Sequence, residues 1–138
     1  MIKRLTPILL AGGIGKRLWP MSRKSFPKQF HHLFDKKTLF QNTLDRMKSS
    51  KDIIFNNPIT VTNDNYRFLV LDQFKDLKRG YGEIFLEPVS KNTASAILSV
   101  SIHMFNSDRN SILLMSPTDH IMPNISAFHK LIKAGYEE

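Results

Sequence analysis

The stretch "TPILLAGGIGKRLWPMSRKSFPKQF", Thr6 to Phe30, decides how the rest of the chain is read. It opens with a short apolar run, Thr6–Leu10, closed by Gly12 and Gly13. A run that short, stopped by glycine, reads as a buried strand. From Leu9 to Phe30 there are three glycines, five cationic side chains (Lys16, Arg17, Arg23, Lys24, Lys28) and no acidic one. Such a loop after a buried strand is suited to a strongly anionic ligand.

Working outward, the chain alternates. Thr38–Lys48 places Leu39, Phe40, Thr43, Leu44 and Met47 on one helical face. Pro58–Thr62 is β-branched and follows an Asn-Asn-Pro turn, as a strand would. Asn63 is placed to cap a helix over Asn65–Leu77, anchored by Phe68, Leu69, Leu71 and Phe74 and stopped by Gly80 and Gly82. Ile84–Glu87 is a third strand. Thr93–Phe105 is a helix expected to turn Ala94, Ile97, Leu98, Ile102 and Phe105 inward. Ser111–Met115 is a fourth strand and Ile125–Tyr136 a last amphipathic helix. Strands alternating with helices imply an α/β fold: a mostly parallel sheet with right-handed crossovers and helices on both faces. Ligands of such sheets bind at the carboxyl ends of the strands.

The 138 residues suffice for one domain with a core. Net charge is +8, and its distribution is informative. Residues 1–37 hold nine basic residues and one acidic; residues 38–138 hold eleven of each. A uniform basic coat would suggest nucleic acid. Charge gathered at a glycine loop suggests a phosphate-bearing small molecule, with a solvated basic surface as the plain alternative. There is no cysteine, hence no disulfide and no thiolate metal site. No apolar run approaches the ~18 residues that cross a bilayer, so no membrane partner is expected. "MIKRLTPILLAGG" is not expected to be a signal peptide, and a cytoplasmic location is the default expectation.

Three motifs fall at expected strand ends. In the first, Gly12, Gly13 and Gly15 let the backbone approach a ligand. The spacing is neither a Walker A loop nor the dinucleotide fingerprint, since Leu18 stands where a third glycine belongs. Arg17 follows closely, with a planar fork suited to paired phosphate oxygens. Lys28 follows Pro27, which limits its positions. In the second, "SPTDH", Asp119 is a hard oxygen ligand of the kind Mg²⁺ takes; a turn-capping role fits it equally. His120 reads as a structural histidine. In the third, "EPVSKNTASAI", Asn92 and Thr93 open a helix, and Glu87 can accept hydrogen bonds from the N1 and N2 donors of guanine.

Taken together these residues resemble the sugar-1-phosphate nucleotidyltransferases. The signature L-A-G-G-x-G-x-R-L-x-P-x-[ST]-…-P-K is met from Leu10 to Lys28. The longer pattern of its bacterial guanylyltransferase branch is met from Ala11 to Phe30, with companion segments at Glu87–Ile97 and Pro117–Ile121. Ser95 replaces a usual proline, and Thr118 a common serine. The resemblance implies a Rossmann-like sheet and transfer from GTP to mannose-1-phosphate. By it, Ala11, Gly12 and Gly13 lie near the base and Gly15, Lys16 and Arg17 near the phosphates. Arg17 holds the departing pyrophosphate, Lys28 the α-phosphate, and Asp119 binds Mg²⁺. Glu87, Asn92 and Thr93 help read the base, and Pro117 belongs to the same nucleotide site. Family members run well past 250 residues, so residues 1–138 are expected to be the nucleotide half of the domain. Self-association or a complementary C-terminal chain would then complete it. A GTP-binding module without catalysis is the alternative to this reading. A nucleic-acid-binding domain, for which Trp19, Phe26 and Phe30 offer stacking rings, ranks below both because the charge is gathered at a glycine loop, and no nucleic-acid partner is expected.

Overall fold

The computed structural model describes residues 3–13, 23, 25–33, 36–89 and 92–137. Five strands, β1 (Lys3–Leu10), β2 (Ile53–Phe55), β3 (Ile59–Asn63), β4 (Ile84–Glu87) and β5 (Leu113–Pro117), form one parallel sheet. Four helices accompany them: α1 (Leu39–Arg46), α2 (Arg67–Asp76), α3 (Asn92–Ser107) and α4 (Ile125–Gly135). β1 is central. It pairs with β5 on one side and with β2 and then β3 on the other; β4 lies beyond β3.

β2 and β3 occupy the same flank of β1 and differ by a one-residue slip. Leu5 stands opposite Phe55, but Ile8 stands opposite Ile59. The extra residue within Asn56–Pro58 reverses the alternation of side chains. Ile53 and Phe55 therefore join one core while Ile59 and Val61 join the other. The slip also accommodates Pro7, which lacks an N–H. The odd residues of β1 bond toward this flank, as Leu5 O accepts from Asn56 N and Ala11 N donates to Val61 O. Pro7 thus faces the interruption, where no donor is needed.

Alternation along β1 divides the interior in two. Leu5, Leu9 and Ala11 face a core with Phe40, Leu44 and Met47 of α1 and Val70 and Phe74 of α2, and Ile132 and Tyr136 from the α4 end pack against it. Ile8 faces a smaller core with Ala96 and Val100 of α3. Helices thus cover both faces, as expected. At the C-terminal end of α1, Arg79 donates to the carbonyls of Leu44 and Met47, the latter at 2.6 Å.

Several expectations are corrected. β2 has no counterpart in the sequence reading. The face of α3 differs: Leu98, Ile102 and Phe105 are exposed, and Ala94 with them, while Ala96 and Val100 are buried. In α2 the anchors are Val70 and Phe74; Phe68 is exposed with Arg67 stacked on its ring at 4.6 Å. Asn63 does cap, but a short 3₁₀ turn, Asp64–Tyr66, that leads into α2. α2 is ended by Lys78 at φ 49°, rather than by Gly80 or Gly82.

Candidate functional site

With β1 central, the direction of winding reverses between β1 and β5, and in such sheets that switch point, at the carboxyl ends of the strands, is where ligands bind. Leu10 is in register with Pro117, so the turn after β1 and the loop after β5 leave the sheet side by side. Thr118, 1% exposed, secures them: its N–H and Oγ1 both donate to Leu10 O, at 3.3 and 3.0 Å.

The turn Ala11–Gly13 is held from beneath. Gln29, buried in the 3₁₀ turn Lys28–Phe30, donates from Nε2 to Ala11 O at 2.9 Å and to Gly13 O at 3.1 Å. Thr62 Oγ1 adds a bond to Ala11 O at 3.1 Å. These donors consume carbonyls and so stabilise the turn's shape. Ala11 is buried, Gly12 half-buried and Gly13 exposed.

Gln29 also sets its neighbour. Lys28 reaches the loop after β5, where its Nζ lies 3.0 Å from Asp119 Oδ2. His120 Nε2 lies 3.5 Å from the other carboxylate oxygen. The Lys28 and Asp119 side chains are 25% and 42% exposed, so the pair is accessible from solvent. Across the rim Glu87 ends β4. Its Oε2 would lie 2.9 Å from a Cβ added to Gly12, so glycine is what admits the carboxylate there. Burial pushes the Glu87 carboxyl above its ordinary pKa.

A contact chain therefore runs Glu87–Gly12, then Gly13–Gln29, then Lys28–Asp119, across residues far apart in sequence. Pro117, the last residue of β5, stands opposite Leu10 at the base of the turn. Asn92 and Thr93 stand apart, exposed at the start of α3, with Asn92 at φ 68°. A cleft of about 380 Å³ between β4 and α3 is lined by Glu87, Pro88, Ser95 and Ser99 among others, but by neither of those two. Gly15, Lys16 and Arg17 lie outside the described residues. Gln29, Thr62 and Thr118 are given no role in the sequence reading, although Gln29 sits inside the quoted "PKQF" motif and Thr118 inside "SPTDH". Among the described residues no cluster of three metal-ligating side chains occurs. The donors present suit Mg²⁺ as a carboxylate of Asp119 shared with phosphate oxygens, which is a common mode for that ion.

The nucleotidyl transferase family model matches residues 6–137. A mannose-1-phosphate guanylyltransferase of Klebsiella pneumoniae is 37% identical over 131 residues, which is 95% of this chain and 27% of that protein. The chain thus spans about a quarter of the length of the curated relatives it matches. Among solved structures, a mannose-6-phosphate isomerase from Helicobacter pylori superposes with a TM-score of 0.73 at 30% identity, covering 99% of this chain and 46% of that one. A structure described as mannose-1-phosphate geranyltransferase from Thermus thermophilus gives 0.74 at 26% identity, covering 96% and 37%. With its sheet order, its glycine turn and a family match over nearly its whole length, the chain belongs to the nucleotidyl transferase family.

Proposed function

We propose that this chain is the GTP-binding part of a mannose-1-phosphate guanylyltransferase. In the proposed reaction an oxygen of mannose-1-phosphate attacks the α-phosphorus of GTP in line. The bond from that phosphorus to the bridging β-phosphate oxygen breaks, giving GDP-mannose and pyrophosphate. The chain's contribution is alignment and charge stabilisation, which carry most of such a reaction.

The turn Ala11–Gly13 and Glu87 take the guanine side, where a carboxylate can accept from two adjacent N–H donors. Asn92 and Thr93 remain assigned to the base by the resemblance alone. Lys28 is assigned the α-phosphate, and Gly15, Lys16 and Arg17 the β- and γ-phosphates that leave. Pro117 fixes the exit of β5 next to the turn. Asp119 would hold Mg²⁺, which supplies charge neutralisation to phosphate oxygens when bound. In the ligand-free chain Lys28 and Asp119 neutralise each other, so binding exchanges one ion pair for two contacts with Mg²⁺ and phosphate.

The reading is supported most by the convergence of Lys28 and Asp119, ninety-one positions apart, beside the glycine turn. It is tested by calorimetric titration of the chain with GTP, ATP, UTP and dTTP, each with Mg²⁺. GTP is expected to bind tightest. Tighter UTP or dTTP binding would move the chain to another branch of the family. No Mg²⁺-dependent binding of any of the four would remove the nucleotide reading altogether.

A further inference from the structure

Asp119 lies in the loop between β5 and α4, and its side chain is too exposed for packing to set its direction. Beside the ion pair with Lys28, its backbone sets that direction, and the residues on either side are both tied down. On one side Thr118 is bonded to Leu10 O through two donors. On the other, His120 O accepts from Arg46 Nη1 at 2.8 Å.

Arg46 comes from the last turn of α1 and is 2% exposed. Its Nη2 donates to Thr43 Oγ1 at 2.6 Å, and its own carbonyl accepts from His129 Nε2 at 2.8 Å. Its guanidinium lies 6.0 Å from the centre of the Phe128 ring. Its Nε is buried without a hydrogen-bond partner among the described residues. The adjacent carboxylate, Asp45, is engaged instead by Lys37 and Lys48. Joining α1 to α4 does not need a buried cation, because apolar residues of similar volume do it at lower cost. A long, rigid fork that ends on one carbonyl of the Asp119 loop does need an arginine.

We propose that Arg46 is a positioning residue for Asp119. It pins the backbone one residue beyond the carboxylate, as Thr118 pins it one residue before, and so holds the carboxylate toward Lys28. The ligand that Asp119 then meets, Mg²⁺ with a nucleoside triphosphate, rests on the function proposed above; the backbone clamp does not.

The test uses the full chain as Arg46→Met and Arg46→Lys, with Val100→Ala in the opposite core as a control for lost stability. Two readouts are taken. Amide hydrogen exchange of residues 119–122 is compared with that of α2 and β3. The Mg²⁺ concentration for half-maximal GTP binding is then measured. Arg46→Met is expected to speed exchange selectively in 119–122 and to raise the Mg²⁺ requirement about tenfold or more, the size usual for groups that orient a metal ligand. Arg46→Lys, with a single ammonium in place of the fork, should fall between Arg46→Met and wild type, and it carries the test alone if Arg46→Met does not fold. Exchange in 119–122 unchanged in every Arg46 variant that folds would overturn the proposal. So would a Val100→Ala protein that shows the same rise in Mg²⁺ requirement. If wild type binds no GTP, the nucleotide reading fails, and the exchange comparison still decides whether the clamp exists.

Discussion

Glu87 shows what a single partly buried carboxylate at this rim costs in stability. Burial raises its pKa in the folded chain, so the folded state binds its proton more tightly than the unfolded state does. Stability is therefore lost as pH rises from the unfolded pKa through the folded one. Above that window the full penalty for the charge remains. Glu87→Gln is accordingly expected to be more stable than wild type at neutral pH. The gain should vanish below the ordinary glutamate range, and urea unfolding at both pH values would check it. Gly12→Ala has the opposite character. The added Cβ would meet the flexible end of Glu87 at 2.9 Å, so the carboxylate shifts and the fold loses at most ~1 kcal/mol. Preference for GTP over ATP should fall, as read by calorimetry. Gly12, Lys28, Glu87 and Asp119 were named as candidates from the sequence, and the structure brings them to one rim; their roles toward a ligand are part of the proposal. Gln29, Thr62, Thr118 and Arg46 were not so named, because an amide, a hydroxyl or a guanidinium acquires its role only from the carbonyl it meets in three dimensions. The roles given to Gly15, Lys16 and Arg17 rest on the resemblance.

Among the elements, the helix ends and faces carry the sharpest expectations. α2 closes with Lys78 N bonded to Lys75 O and Arg79 N to Phe74 O, the pattern that places a left-handed residue just past the helix. That residue is Lys78, at φ 49°. Lys78→Gly should relieve its conformational cost and stabilise the chain by about 1 kcal/mol in thermal unfolding. In α3 the structure selects a different face from the one read in the sequence. Val100→Ala should cost about 2 kcal/mol, whereas Ile102→Ser, at a residue 54% exposed, should cost under ~0.5 kcal/mol in urea unfolding. The reverse ranking would restore the sequence-based face. That face was misread because α3 carries apolar residues on two sides, Ala96, Val100 and Met104 on one and Leu98, Ile102 and Phe105 on the other, so periodicity alone did not choose between them. β2 was overlooked for a related reason. "IIFNNPITV" contains a turn signal, yet here Asn-Asn-Pro makes a one-residue slip between two segments on one flank.

For the whole molecule, the parallel sheet and the helices on both faces were legible because the alternation of strands and helices leaves few topologies. Sheet order then brings Gly12 and Gly13, Glu87 and Asp119, one part of each motif, to one rim although they are far apart in sequence. We propose that this rim is a dedicated triphosphate site rather than a diffuse basic surface. The net charge of +8 makes the second alternative a real competitor, since any surface so charged attracts nucleotides weakly. The two differ in what a single lysine is worth. Lys28 is fixed beside the glycine turn and paired with Asp119, whereas Lys75 is exposed on α2. The most direct measurement is the dissociation constant of Mg²⁺·GTP for wild type, Lys28→Ala and Lys75→Ala at one ionic strength. Loss of a charge-assisted contact at Lys28 should cost roughly 1.5–3 kcal/mol, about tenfold to more than a hundredfold, with Lys75→Ala close to wild type. Equal weakening by the two substitutions would contradict the account.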